Sequence, residues 1–119
     1  MRNADPYSEQ IGRVLPRLLA LYDTDQTAPS FGMGDRYHWA WKLIDFGNGT
    51  FQGAAHGIAR LLAADALPEG ISPDAMLRRI DAMFAGTSRL MRGNGSMEEA
   101  FPHESSFCVT ALVAFDLLS

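Results

Sequence analysis

Apolar residues along this chain recur at three- and four-residue intervals, the spacing of one helix face, and no segment alternates in the manner of a strand. Ile11, Val14, Leu15, Leu18, Leu19 and Tyr22 form the first such face. Asp5-Pro6 opens that helix: the acid can cap free N–H groups, and proline fits the first helical position. Pro16 removes one backbone bond and crowds the preceding turn, which predicts a kink. Residues Asp23 to Gly34 have loop chemistry throughout. A second helix is predicted from Asp35 to Gly47, with Tyr37, Ala40, Trp41 and Ile44 on one face and Trp39, Leu43 and Phe46 on the other. A helix apolar on both sides is buried between neighbours or lines a cleft.

A third helix is predicted from Gly53 to Ala66, and its Gly53, Ala54, Ala55, Gly57 and Ala59 predict close approach of its neighbours. Pro68 and Gly70 then make a short turn. Ser72-Pro73-Asp74 is the strongest helix start in the chain, combining a cap, a first-position proline and an acid at the positive end. The fourth helix carries Met76, Leu77, Ile80, Met83, Phe84 and Leu90 on one stripe, with Arg78, Arg79, Asp81 and Arg89 largely off it. It should therefore be an outer, half-exposed helix. The last helix is predicted from Glu104 to Ser119. From Phe107 onward Asp116 is its single charge, so it requires cover on all sides. Four other helices can hardly supply that cover. Either the chain is a fragment of a larger helical protein, the favoured expectation, or a second copy covers the face.

Composition adds limits. The 119 residues are 47% hydrophobic and 20% charged, which suits one globular helical domain spanning residues 1–119. A net charge of −4 argues against nucleic acid, which selects for basic stripes. The adjacent pair Arg78-Arg79, flanked by Asp74 and Asp81, reads as a solvated helix face. The single cysteine, Cys108, sits in an apolar run and reads as a small buried hydrophobe. His38, His56 and His103 show no metal-ligand spacing, and His56 reads as a core histidine. No dinucleotide fingerprint, nucleophile elbow or phosphate loop appears, so neither a metal nor a cofactor is expected. No run reaches the length of a membrane span, and no apolar leader opens the chain, so the default expectation is a cytoplasmic protein.

One phrase occurs twice: Asn48-Gly49-Thr50-Phe51 and Asn94-Gly95-Ser96-Met97. Glycine at the second position permits a positive φ, Asn tolerates the same region, and the aromatic or methionine can anchor the turn in the core. The period lies in the range of stacked supersecondary units. The unit of helix, Asn-Gly-Ser/Thr-aromatic loop and buried helix resembles the α/α-toroid proteins, which include the squalene-cyclase and prenyltransferase-repeat family and carbohydrate-processing toroids. The run from Asn94 to Phe107 looks like the loop-to-helix segment of toroid proteins in bacterial polysaccharide pathways. The second copy departs at Met97, and the acidic Asp-x-Asp-Asp signature of the cyclising enzymes does not occur. The likeness covers Asp35 to Ser119, about two helical hairpins. It implies an all-α fold whose hairpins form part of an α/α toroid.

The resemblance also implies that the loops before the inner helices face a cavity. Glu99, His103 and Glu104 would then be candidate catalytic groups, since a carboxylate and an imidazole at one cavity mouth can act as general acid and base. The competing reading makes Glu104 a helix-start acid and leaves Glu98 and Glu99 solvated. Asp35, Tyr37, His38, Trp39, Trp41 and Phe101 would be substrate contacts, with aromatic faces stacking on sugar rings. Trp39 and Trp41 lie about 200° apart on a helix, so only one of them can face a cavity. Three readings follow: a partial toroid that binds or processes glycan in a helix-lined cavity, a helical-repeat module that binds a partner or its own copy, and a toroid that binds an isoprenoid.

Overall fold

The computed structural model describes residues 6–34, 49–98 and 105–119. The fold is all-α. The described residues form four helices, α1 (Pro6–Leu19), α2 (Ala54–Ala63), α3 (Pro73–Leu90) and α4 (Phe107–Leu118), with a 3-10 turn at Gly49–Gly53 ahead of α2. Among the described residues there is no strand, only three isolated bridges, Tyr22 with Gly34, Met91 with Met97, and Glu98 with Ser105. The helix expected over residues 35–47 lies outside the described residues.

Local chemistry explains each boundary. Ser72 caps α3 by accepting from the Ala75 N–H at 3.3 Å, with Pro73 in the first position, as the motif predicted. Ser106 caps α4 by accepting from the Val109 N–H at 3.1 Å, so this helix begins at Phe107 rather than at Glu104. α2 stops at Ala63, short of Ala66, because Asp65 adopts a left-handed φ of 51°. The Ala66 N–H then donates to the Leu61 carbonyl at 2.9 Å and the Asp65 N–H to Leu62 at 3.1 Å, the two bonds of a Schellman cap. α1 continues one turn past Pro16.

The core joins Leu15, Leu19 and Tyr22 with Ala55 and Ile58 of α2, Leu67, and Met76 and Met83 of α3. Each leucine, isoleucine and methionine among them contributes about 1.5–3 kcal/mol by leaving water. Ile11 and Val14 share the predicted face of α1 but remain exposed. α3 is half-exposed as expected, with Leu77 and Phe84 on its open side. Its inner side is made by Met76, Ala82, Met83, Gly86, Thr87 and Leu90. α4 rests on the 3-10 turn and on α2. α2 begins without a side-chain cap of its own. Asp116 of α4 stands there instead: a Cβ built on Gly53 would lie 2.3 Å from Asp116 Oδ2. A carboxylate at that positive helix end is favourable.

The loop at residues 22–34 is fastened onto α3 by three devices. The Gln52 side chain, 0% exposed, accepts from the Gly34 N–H at 2.8 Å and donates toward the carbonyls of Gly32 at 3.1 Å and Met83 at 2.9 Å and toward Thr87 Oγ1 at 3.1 Å. Arg89 donates from Nε to the Pro29 carbonyl at 2.9 Å and from Nη2 to that of Phe31. Gly86 lies directly against the Gly32 backbone, where an added Cβ would meet the Gly32 carbonyl carbon at 2.6 Å. Gly32 itself has a φ of +79°, and its own Cβ would collide with the Ala82 carbonyl oxygen at 1.7 Å.

The repeated phrase is used in two different ways. Gly95 takes a φ of +87°, and Asn94 Oδ1 accepts from the Ser96 N–H at 3.0 Å, a surface turn. Gly49 is not in that region; it is small because a Cβ would lie 2.5 Å from the Glu98 carbonyl oxygen. Its N–H donates to that oxygen at 2.9 Å, and an added Cβ would meet Met97 Cβ at 3.3 Å, so the first copy lies against the end of the second. Met97 is buried and Phe51 packs on the core, as anchors should. The first copy runs straight into a helix, and the second is followed by Glu98, which is bridged to Ser105.

These contacts separate two glycines inside helices. Gly86→Ala should destabilise the protein by about 1–3 kcal/mol, since the obstructing atoms are backbone. Gly57 is exposed with nothing within 4 Å, contrary to its expected packing role. Gly57→Ala should therefore stabilise the helix by about 0.5–1 kcal/mol. Urea denaturation of the two variants checks both signs.

Candidate functional site

Every residue predicted to carry chemistry lies outside the described residues: Asp35, Tyr37, His38, Trp39 and Trp41 within 35–48, and Glu99, Phe101, His103 and Glu104 within 99–104. Their described neighbours are clear. Gly34 is held by Gln52, and Glu98 receives Gly49 and donates its own N–H to the Leu90 carbonyl at 3.0 Å. His56, expected in the core, is half-buried on α2. Cys108 is exposed, not buried, because the face of α4 that carries it points away from α2 and the 3-10 turn.

The described residues do form a cleft, of about 270 Å³, where the fastened loop overhangs α3. Tyr22, Phe31, Ala82 and Met83 give it an apolar interior, and Arg78, Arg79, Asp23, Thr24 and Gln26 stand around it. The Tyr22 phenol donates to the Phe51 carbonyl. The Asp23 carboxylate is occupied by its own loop: Oδ1 accepts from the Asp25 N–H at 2.9 Å, and Oδ2 accepts from the Ser30 hydroxyl. Asp25 in turn accepts from the Thr27 hydroxyl and N–H, which hold its carboxyl below the usual range. Arg78 is exposed and Arg79 half-buried, as a solvated helix face requires, and both border this cleft, whose opposing wall comes from a loop some fifty residues earlier.

A second, shallower depression of about 310 Å³ lies beside Asn94, Ser96, Ser105, Ser106 and Thr110. Its polar groups serve the local fold. Ser96 donates to Asn94 Oδ1 at 2.7 Å, Ser105 accepts from Arg92 at 3.0 Å, and Thr110 accepts from the Met97 N–H at 3.0 Å.

The third surface is α4 itself. Phe107, Cys108, Ala111, Leu112, Phe115 and Leu118 are all exposed, at 89% for Phe107, 58% for Leu112, 69% for Phe115 and 87% for Leu118. At 100° per residue they occupy one arc of about 140°, and Val109, Val113, Asp116 and Leu117 occupy the inward side. Among the described residues, α4 is covered on one side only, by the 3-10 turn and α2. Among the described residues no group of three His, Cys, Asp or Glu side chains could hold a metal. No described helix is long and apolar enough to cross a membrane.

Burial raises the Tyr22 pKa well above its ordinary value of 10.0. The folded state therefore keeps its proton where the unfolded chain would lose it. The resulting stability is complete below pH 10 and is lost as pH rises beyond that, with a slope approaching about 1.4 kcal/mol per pH unit. Tyr22→Phe should flatten this alkaline limb in urea midpoints measured from pH 9 to 11; an unchanged slope would show that Tyr22 is not its source. No protein family, curated protein or solved structure matches this chain.

Proposed function

We propose that this chain is a helical interaction module that pairs with a second copy of itself through α4. The observation that carries the reading is the uncharged apolar arc from Phe107 to Leu118. Taking roughly 200 Å² for a fully exposed large side chain, Phe107, Leu112, Phe115 and Leu118 leave roughly 600 Å² in water. That is at the upper end for the largest apolar patch on a typical monomer. Two copies meeting on this arc bury roughly 1,200 Å² from these four side chains alone, the lower bound for a specific interface. A two-fold contact sets the same patch against itself, and this one brings no like charges together because Asp116 is turned to the 3-10 turn.

Glycan binding in a helix-lined cavity is the reading favoured by the toroid resemblance. It rests on Asp35, Tyr37, His38, Trp39, Trp41, Glu99, Phe101, His103 and Glu104, and no described contact supports it. The exposed arc supports pairing more directly, since it has a stated physical consequence.

Sedimentation velocity across a micromolar concentration series should show a monomer–dimer equilibrium. Phe115→Glu should shift it to monomer with little change in thermal stability, because Phe115 is largely exposed within one copy. A wild-type chain that stays monomeric at high micromolar concentration would refute the proposal.

A further inference from the structure

We infer that the cleft between the 22–32 loop and α3 is a binding site for a small molecule with an apolar body and one anionic group, carboxylate or phosphate. Four features support this ligand class. The interior, built from Tyr22, Phe31 and Met83, is apolar and partly aromatic, which suits a ring or short branched chain. The volume of about 270 Å³ restricts the occupant to a small molecule. Arg78 and Arg79 follow each other on α3 and both border the cleft, Arg78 exposed and Arg79 half-buried. Guanidinium groups present forked donors that match carboxylate and phosphate oxygens.

The remaining charge at the cleft does not cancel the pair. Asp23 brings one negative charge against two guanidinium charges, and its two oxygens are held by its own loop through the Asp25 N–H and the Ser30 hydroxyl. The walls are also held in place. Gln52 fixes Gly32, and Arg89 fixes Pro29 and Phe31, so the cleft exists before a ligand arrives and little ordering opposes binding. None of the lining residues belongs to α4, so this site stands independently of pairing through that helix.

Titration of the full chain with phenylacetate, phenyl phosphate and 2-phenylethanol, followed by amide chemical shifts, tests the inference. The two anions should bind and perturb residues 22–32 and 75–83, and the neutral alcohol should bind at least about tenfold more weakly. Preference between the two anions identifies the headgroup. The Arg78→Gln, Arg79→Gln double variant should lose about tenfold in anion affinity while its thermal midpoint stays unchanged. Three results would each overturn the assignment: no saturable shifts at millimolar ligand, equal binding of the alcohol, or undiminished anion binding by the folded double variant.

Discussion

The primary amide of Gln52 lies at the point where three parts of the chain meet, and it is wholly enclosed. Its oxygen takes the Gly34 N–H, and its nitrogen faces the Gly32 and Met83 carbonyls and the Thr87 hydroxyl. A buried amide without partners is costly, whereas one satisfied on both ends specifies its surroundings narrowly. Here it selects one placement of the loop on α3. The Gly32–Gly86 contact allows the backbones to approach closely enough for that placement. Arg89 then fastens the outer part of the loop. The cleft between loop and helix is a consequence of this arrangement, since removing the loop removes one of its walls.

Helix starts with local causes were legible in the sequence. Ser72-Pro73-Asp74 does what its chemistry predicts, and α3 is half-exposed as its stripe implied. The anchoring of Met97 was also readable. What was hidden depends on distant neighbours. Gln52 was unremarkable inside a Gly-Thr-Phe-Gln-Gly run, because its significance comes from Gly32, Met83 and Thr87. Asp65 gave no sign of a left-handed helix end, a position where glycine is the usual residue. Glu104 and Ser106 both carry helix-start chemistry, since acidic residues are also favoured there, and Ser106 is the cap that α4 uses. Cys108 was misplaced for a similar reason: an all-apolar helix does not reveal which side the chain covers. None of the predicted site residues falls among those described, so the readable part of the candidate site is the cleft, and the sequence did not point to it.

The twinned Asn-Gly phrase illustrates how one local motif can serve two physical ends. Gly95 supplies a positive φ in an exposed turn, while Gly49 supplies closeness to Glu98 at the start of the 3-10 turn. The contact between the two copies brings the segment before α2 against the segment leading to α4. It therefore helps set α4 on the 3-10 turn with one face inward and the other in water. Internal wiring and outward surface are thus linked: the same turn that carries Gln52 also supports the helix whose apolar arc is open.

Amide hydrogen exchange on Gln52→Leu tests the dependence on this one side chain most directly. The substitution leaves the Gly34 N–H and the Gly32 carbonyl without their buried partner. Amides within 23–34 that bond inside the loop, Asp23 and Gly32 among them, should then exchange faster by a larger factor than those in the middle of α3. Equal acceleration of the loop and α3, or an unchanged loop, would contradict the account.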